Sequence, residues 1–262
     1  MIEIQNITKS YSGRKVLDNA SITINDGEIF SVIGPSGCGK STLLKCIVRL
    51  IKPESGRILV DGRNVVDIDD EFELAKIRKN FGYLFQGGAL FDSLTVMENI
   101  TFGLKYLTDI PKSEYPRIAR EKLALVGLEN AENIKPAELS GGMKKRAALA
   151  RAIAAEPKYI FYDEPTTGLD PITSDMILGL ISDMAAKLKI TSIIVTHDIK
   201  LAFTISNRVA MLDKGNFEIS GTPEELRKSS SPAFKKFTDE ALSPDVQGRR
   251  HDLDVKHHKQ WY

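Results

Sequence analysis

Three stretches of the sequence predict an α/β fold. Ile29-Phe30-Ser31-Val32-Ile33 is an apolar run that passes through a glycine-rich turn into Leu43-Leu44-Lys45-Cys46-Ile47-Val48, whose apolar spacing is helical. Tyr159–Tyr162 and Ile193–Thr196 are further strand-like runs, and they end on Asp163-Glu164 and His197. A long helical region lies between the β-rich opening of the chain and these later strands.

The turn reads Gly34-Pro35-Ser36-Gly37-Cys38-Gly39-Lys40-Ser41-Thr42. This is the G-x-x-x-x-G-K-[ST] pattern, in the strand–loop–helix setting that it requires. Its glycines let successive N–H groups turn inward, and the positive end of the following helix faces the same point. A triphosphate fits such a cradle. Lys40 is placed to bridge β- and γ-phosphate oxygens, and the Ser41 hydroxyl to ligate Mg²⁺. A dinucleotide fingerprint does not fit, because Gly37-x-Gly39-x-x ends on Thr42 where glycine is required. Cys38, beside Lys40 and among inward-facing amides, is expected to have a lowered thiol pKa and to be open to alkylation.

Upstream, Ile2, Ile4 and Ile7 alternate, as does Ser21-Ile22-Thr23-Ile24, with Asn25-Asp26-Gly27 as a turn. Tyr11 falls in a small polar loop, Lys9–Gly13, where its ring could stack on a base or simply pack at the surface. Downstream, Lys52–Gly56 breaks the chain before the strand Arg57–Val60 and an Asp61-Gly62 turn. A charged helix over 71–79 leads to a strand, Phe81–Phe85, which ends at Gln86 and a flexible Gly87-Gly88 loop.

Residues 94 to 155 read as helical, broken at Pro111, Gly127 and Pro136, with Thr95 and Glu98 as a capping box. Leu139-Ser140-Gly141-Gly142-Met143 opens an alanine-rich helix, and two glycines beside a serine cap make room for an anion. Asp163 and Glu164 at a strand end can divide labour, one holding Mg²⁺ through water and the other activating a water. Asp170-Pro171 is an N-cap followed by proline at the first helical position. His197 sits where it could hydrogen-bond a γ-phosphate. Val209–Leu212 and Phe217–Ser220 form a closing hairpin, and Thr222-Pro223-Glu224-Glu225 caps a short helix. From Ser229 the composition turns polar, until Trp261-Tyr262.

The chain has 262 residues, 42% hydrophobic, with a net charge of +1, so no whole-molecule field favours nucleic acid. Cys38 and Cys46 have neither metal-ligand nor disulfide spacing, which points to a reducing compartment. No leader is evident, and no apolar run approaches the roughly 18 residues of a membrane span, so the chain is expected to be soluble by itself.

In order and spacing, Tyr11, the phosphate loop, Gln86, Leu139–Gly142, Asp163-Glu164, Gly168-Leu169-Asp170 and His197 resemble an ABC-type ATPase across roughly residues 1–225. The resemblance implies a P-loop NTPase fold. A RecA-like nucleotide-binding core with an antiparallel β subdomain would span 1–85 and 159–228, a helical signature subdomain 86–158, and a C-terminal extension 229–262. It implies ATP and Mg²⁺ as ligands, with Tyr11 under adenine and Gln86, near the metal, reporting nucleotide state to a transport partner. Glu164 would be the general base and His197 the γ-phosphate switch, with Ser41, Gln86 and Asp163 around Mg²⁺. Ser140, Gly141 and Gly142 would close on ATP held by a second copy, and Asp170 would cross that interface. Met143 departs from the family's usual glutamine at the fifth signature position.

Leu139-Ser140-Gly141-Gly142-Met143 with the basic patch and Arg146-Ala147-Ala148-Leu149-Ala150-Arg151-Ala152 after it, Leu84-Phe85-Gln86-Gly87-Gly88-Ala89-Leu90-Phe91, and Asp163-Glu164-Pro165 with Asp170-Pro171-Ile172-Thr173 look like the ATPase subunit of Mla/Mce-type lipid transporters. A homodimer on a separate integral-membrane permease, at the cytoplasmic face of the inner membrane, is then expected, with an optional lipid-binding substrate protein and no nucleic acid. In such ATPases a C-terminal extension can reach the partner subunit, so Trp261 is an expected anchor. The nearest rival is the ATPase of an importer for a polar small molecule such as an amino acid. A DNA-maintenance ATPase would need a coiled-coil insertion, and no sustained heptads occur. A soluble regulatory cassette, as in translation factors, usually joins two ATPase units in one chain.

Overall fold

The computed structural model describes residues 1–242. The chain opens with β1 (Ile2–Tyr11), β2 (Arg14–Ile24), β3 (Ile29–Ile33), α1 (Lys40–Ile47), β4 (Ser55–Val60), β5 (Arg63–Asn64), α2 (Glu71–Arg78) and β6 (Phe81–Leu84). A helical stretch follows: α3 (Val96–Thr101), α4 (Leu104–Leu107), α5 (Tyr115–Leu125) and α6 (Gly141–Ile153). Then come β7 (Tyr159–Asp163), α7 (Pro171–Leu188), β8 (Thr191–Val195), α8 (Ile199–Ile205), β9 (Arg208–Asp213), β10 (Asn216–Gly221), α9 (Pro223–Arg227) and α10 (Pro232–Leu242).

Two sheets form. One is antiparallel, in the order β2-β1-β4-β5, and the other runs β10-β9-β3-β8-β7-β6 with only β10 antiparallel. Every residue of β3, β7 and β8 is buried. That is why these strands are continuous apolar runs rather than alternating ones: one face of the sheet packs on helices including α6 and α7, the other on α1 and the antiparallel sheet. The register sets the site. Val32 pairs with Val195 and Asp163 with Val195, so the C-terminal ends of β3, β8 and β7 lie side by side. Ligands bind at such carboxyl ends in open α/β sheets.

Local expectations hold at the caps. Thr95 and Glu98 close a capping box on α3, Thr222 and Glu225 another on α9, and Asp170 caps α7 through the Thr173 N–H. Tyr11 differs from expectation: it is the last residue of β1, paired with Arg14 across a Ser12-Gly13 turn. Both turn residues have positive φ, 49° and 78°. That is the backbone of a tight two-residue hairpin, which the small polar residues permit. The polar shift at Ser229 does not end the packed fold either. Phe234 and Phe237 of α10 are buried with Ile33, Ile199, Met211 and Leu226, each worth about 1.5–3 kcal/mol of burial. Trp261 and Tyr262 lie outside the described residues.

Candidate active site

Residues 34–39 link β3 to α1, and with the first turn of α1 they border an open cavity of about 330 Å³. Ser36, Gly37, Gly39, Lys40, Ser41 and Thr42 line it, facing Gln86, Glu164 and His197. The close fit explains a glycine: at Gly39 (φ 112°) a Cβ would lie 2.6 Å from the Val16 carbonyl oxygen. Lys40 is buried and donates from Nζ to the carbonyls of Gly34 at 2.7 Å and Pro35 at 3.0 Å. Its charge is thus fixed at the rim of the loop.

Across the cavity, the Ser41 hydroxyl donates to Asp163 Oδ1 at 2.7 Å, and the Tyr83 hydroxyl to Asp163 Oδ2 at 3.3 Å. Glu164 Oε2 lies 2.8 Å from His197 Nδ1 and accepts hydrogen bonds from Thr167 at 3.2 Å and Thr196 at 3.4 Å. Burial pushes the Glu164 carboxyl up, but His197, Lys40 and Thr167 outweigh it and hold the group below its ordinary value. The carboxylate is therefore ionised and aimed into the cavity at neutral pH, which is what a base that orients water requires.

Hard oxygen donors, Ser41 and Asp163, stand together beside the phosphate loop. No group of three or more His, Cys, Asp or Glu residues among those described could cage a metal. The oxygen pair of Ser41 and Asp163 fits Mg²⁺, which keeps several waters and is shared with substrate phosphates.

One sequence expectation is overturned. Cys38 is half-buried, and its partial burial pushes the thiol above its ordinary value, with neither the Lys40 charge nor the loop's backbone amides offsetting it. The Sγ is folded back toward Gly34, where a Cβ would meet it at 2.9 Å. Cys46 is buried and pushed up to about 11. Both cysteines are free.

Ser140, Gly141 and Gly142 do not line this cavity. Ser140 caps α6, accepting from the Met143 N–H at 3.3 Å. Gly142 packs on Thr173, where a Cβ would lie 2.6 Å from the Thr173 methyl. Asp170 bonds that same threonine, its Oδ2 accepting from the hydroxyl at 2.6 Å. So the signature and Asp170 share one surface, apart from their own chain's phosphate loop. Met143 packs against the apolar core instead of offering a polar side chain. Tyr11 is exposed, with the Lys9 amine 5.6 Å from its ring centre.

Lys145 is the residue that sequence reasoning missed. It is buried, and its amine reaches the carbonyls of Gln86 and Glu164. Burial lowers its pKa while the Asp163 and Glu164 charges oppose the shift. A lysine in a basic patch gives no signal of burial. Tyr83, Thr167 and Thr196 were likewise silent, being ordinary strand and loop residues.

A family model described as "ABC transporter" matches residues 17–167. "Intermembrane phospholipid transport system ATP-binding protein MlaF" of Haemophilus influenzae is 41% identical over 237 residues, 90% of this chain and 89% of that protein. "Probable ribonucleotide transport ATP-binding protein mkl" of Mycobacterium tuberculosis is also 41% identical, over 90% of this chain, which spans 66% of that protein's length. "Methionine import ATP-binding protein MetN 1" of Listeria monocytogenes is 39% identical over 94% of this chain and 74% of its own length. Among solved structures, the ATP-binding cassette MJ0796, dimeric in a post-hydrolysis state with ADP and Pi, matches with a TM-score of 0.79. It is 36% identical, over 85% of this chain and 99% of that one.

Proposed function

The chain belongs to the ABC transporter family, and we propose that it is the ATP-hydrolysing subunit of a transporter for phospholipid or a similar apolar cargo. The observation that carries the ATPase reading is the line of groups across the cavity. Lys40, Ser41, Glu164 and His197 line it together, with Asp163 hydrogen-bonded behind Ser41 and Glu164 paired with His197. The loop and Lys40 bind the β- and γ-phosphates. Ser41 and Asp163 would hold Mg²⁺, and Gln86 lines the same cavity. That ion supplies charge neutralisation on the phosphates. Glu164 orients the attacking water and takes its proton, while His197 holds the carboxylate in place and faces the γ-phosphate. The Tyr11 ring is exposed where it can lie under adenine.

Two copies complete each other. Ser140, Gly141 and Gly142 present a helix start on a surface away from their own phosphate loop, which suits them to ATP held by a second copy. Asp170, on the same surface, lies at that junction. The dimeric state of the MJ0796 cassette supports this arrangement.

No helix among the described residues is long and apolar enough to cross a membrane; the family membership implies membrane permease partners that carry the cargo. Their docking site is the apolar groove of about 430 Å³ bounded by Phe85, Ala89, Phe91, Phe102 and Arg151. There Phe91 and Phe102 are exposed and 4.7 Å apart at their ring centres. Membership of the family supports a peripheral position on the cytoplasmic face of the inner membrane, with a lipid-binding substrate protein as a further partner of the assembled transporter.

Lipid is favoured as cargo because the Haemophilus relative matches over nearly its whole length and carries the phospholipid name. The Listeria relative supports the alternative, import of a polar small molecule such as an amino acid. Extracting the assembled transporter in mild detergent and identifying the co-purified molecule by mass spectrometry separates them. Phospholipid in stoichiometric amount is expected. An amino-acid-binding partner with no lipid would sink the lipid reading.

A further inference from the structure

The helix that begins at Gly141 also grips the back of the site. Lys145, on its second turn and 5% exposed, donates to the carbonyl of Gln86 and to that of Glu164 at 3.3 Å. Gln86 and Glu164 follow the ends of the paired strands β6 and β7, so one side chain spans both strand ends. Further along α6, Arg151 donates to the Gly88 carbonyl at 2.7 Å and the Ala89 carbonyl at 2.6 Å. The intervening loop lies flat on the helix, where a Cβ on Gly88 would sit 3.6 Å from the Ala148 methyl. The Gln86 loop is therefore fastened to α6 at both ends.

Burying an ammonium is costly unless its donors are used. Here they are spent on the backbone of Glu164, which would polarise water, and of Gln86, which lines the phosphate cavity and opens the loop that runs to the permease groove. Glu164 is also the sensitive link. It holds φ 50°, a left-handed backbone unusual for a glutamate, between its N–H bond to the Val195 carbonyl and its carboxylate contact with His197.

We propose that Lys145 is a positioning residue, which ties the Ser140–Gly142 helix to the carbonyls of Gln86 and Glu164 so that engagement of that helix is transmitted to the reaction centre of its own chain. The inference rests on the two-copy reading above. ATP held by a second copy draws on Ser140–Gly142, and α6 moves as a rigid rod. Lys145, one turn in, then carries the displacement to Glu164 and Gln86. The signature of one site thereby sets the readiness of the other.

The test uses the assembled transporter. Lys145→Met keeps the length and removes the donors, while Lys145→Arg keeps donors. The methionine variant should lose about ten- to a hundredfold in kcat, the scale of a catalytic group displaced by roughly 1 Å. Its KM for ATP should stay within about twofold, because the phosphate loop is untouched. Its Hill coefficient for ATP should fall toward one, and the arginine variant should recover both kcat and cooperativity. Should Lys145→Met not fold, Lys145→Gln, which cannot reach both carbonyls, is expected to show the same loss. Wild-type kcat and cooperativity in either donor-deficient variant would overturn the proposal. So would equal loss in Lys145→Arg at an unchanged melting temperature. Glu164→Gln, measured alongside, tells the two failures apart. If it still hydrolyses ATP normally, the reading of the site fails. If it is inactive while Lys145→Met remains cooperative, only the role of Lys145 fails.

Discussion

The carboxylate of Glu164 and Nδ1 of His197 are 2.8 Å apart, although 33 positions separate them in the chain. Parallel pairing of β7 with β8 brings them together, since each follows the end of its strand. The contact holds the side chain of the strained Glu164 in one place and keeps its charge. Replacing Glu164 by Gln keeps shape and removes the base. ATP binding should survive while steady-state turnover falls by at least about a hundredfold, as measured by phosphate release, and the closed dimer should accumulate in size-exclusion chromatography. Normal turnover would remove Glu164 from its role.

The same pair sets a pH dependence. The Glu164 carboxyl is held below its ordinary 4.5, so its charged form persists to lower pH than that of a free glutamate. The stability it contributes is complete above 4.5 and lost as pH falls through the lower folded-state value. His197→Ala removes the largest opposing influence and leaves burial to push the carboxyl upward. The residual ATPase activity of that variant should therefore show an acid limb displaced to higher pH than wild type. An acid limb left in place would show that His197 does not support the charge.

Asp163 and Ser41 are 122 positions apart yet 2.7 Å from each other. Asp163→Asn weakens the hard-oxygen set around Mg²⁺ without opening a gap. The Mg²⁺ concentration giving half-maximal activity should rise by about tenfold, read from a metal titration at saturating ATP. An unchanged midpoint would move the ion elsewhere.

Asn99 is fully buried and holds the 91–95 turn: Oδ1 accepts from the Phe91 N–H at 2.7 Å, and Nδ2 donates to the carbonyls of Phe91, Leu94 and Thr95. Asn99→Ala strands these groups and should cost about 2–4 kcal/mol of stability in urea unfolding. It should also loosen the groove that Phe91 lines. A loss below about 0.5 kcal/mol would mean that water replaces the side chain freely.

Cys38 looked reactive by its neighbours, and the fold makes it reluctant. With burial raising the thiol, N-ethylmaleimide should label Cys38 in the native protein far more slowly than in urea, as followed by intact-mass spectrometry. Equal rates would show that the thiol is open to solvent in the native state.

The sequence by itself determined the parts whose physics is local. A glycine-rich loop must turn its amides inward, Thr95 and Asp170 must cap the helices that follow them, and fully apolar runs must become buried parallel strands. Those rules act over a few residues, so they are visible without a fold. Only the tertiary structure decided what depends on strand order and depth. It placed Glu164 against His197, turned Lys145 inward to two backbone carbonyls, docked Phe234 and Phe237 of a polar-looking tail on the core, and reversed the expected shift at Cys38. Each of these is a contact or a burial between distant segments. Its sign is set by how close the packed elements come and how much water they exclude, and no residue carries that in its own neighbourhood.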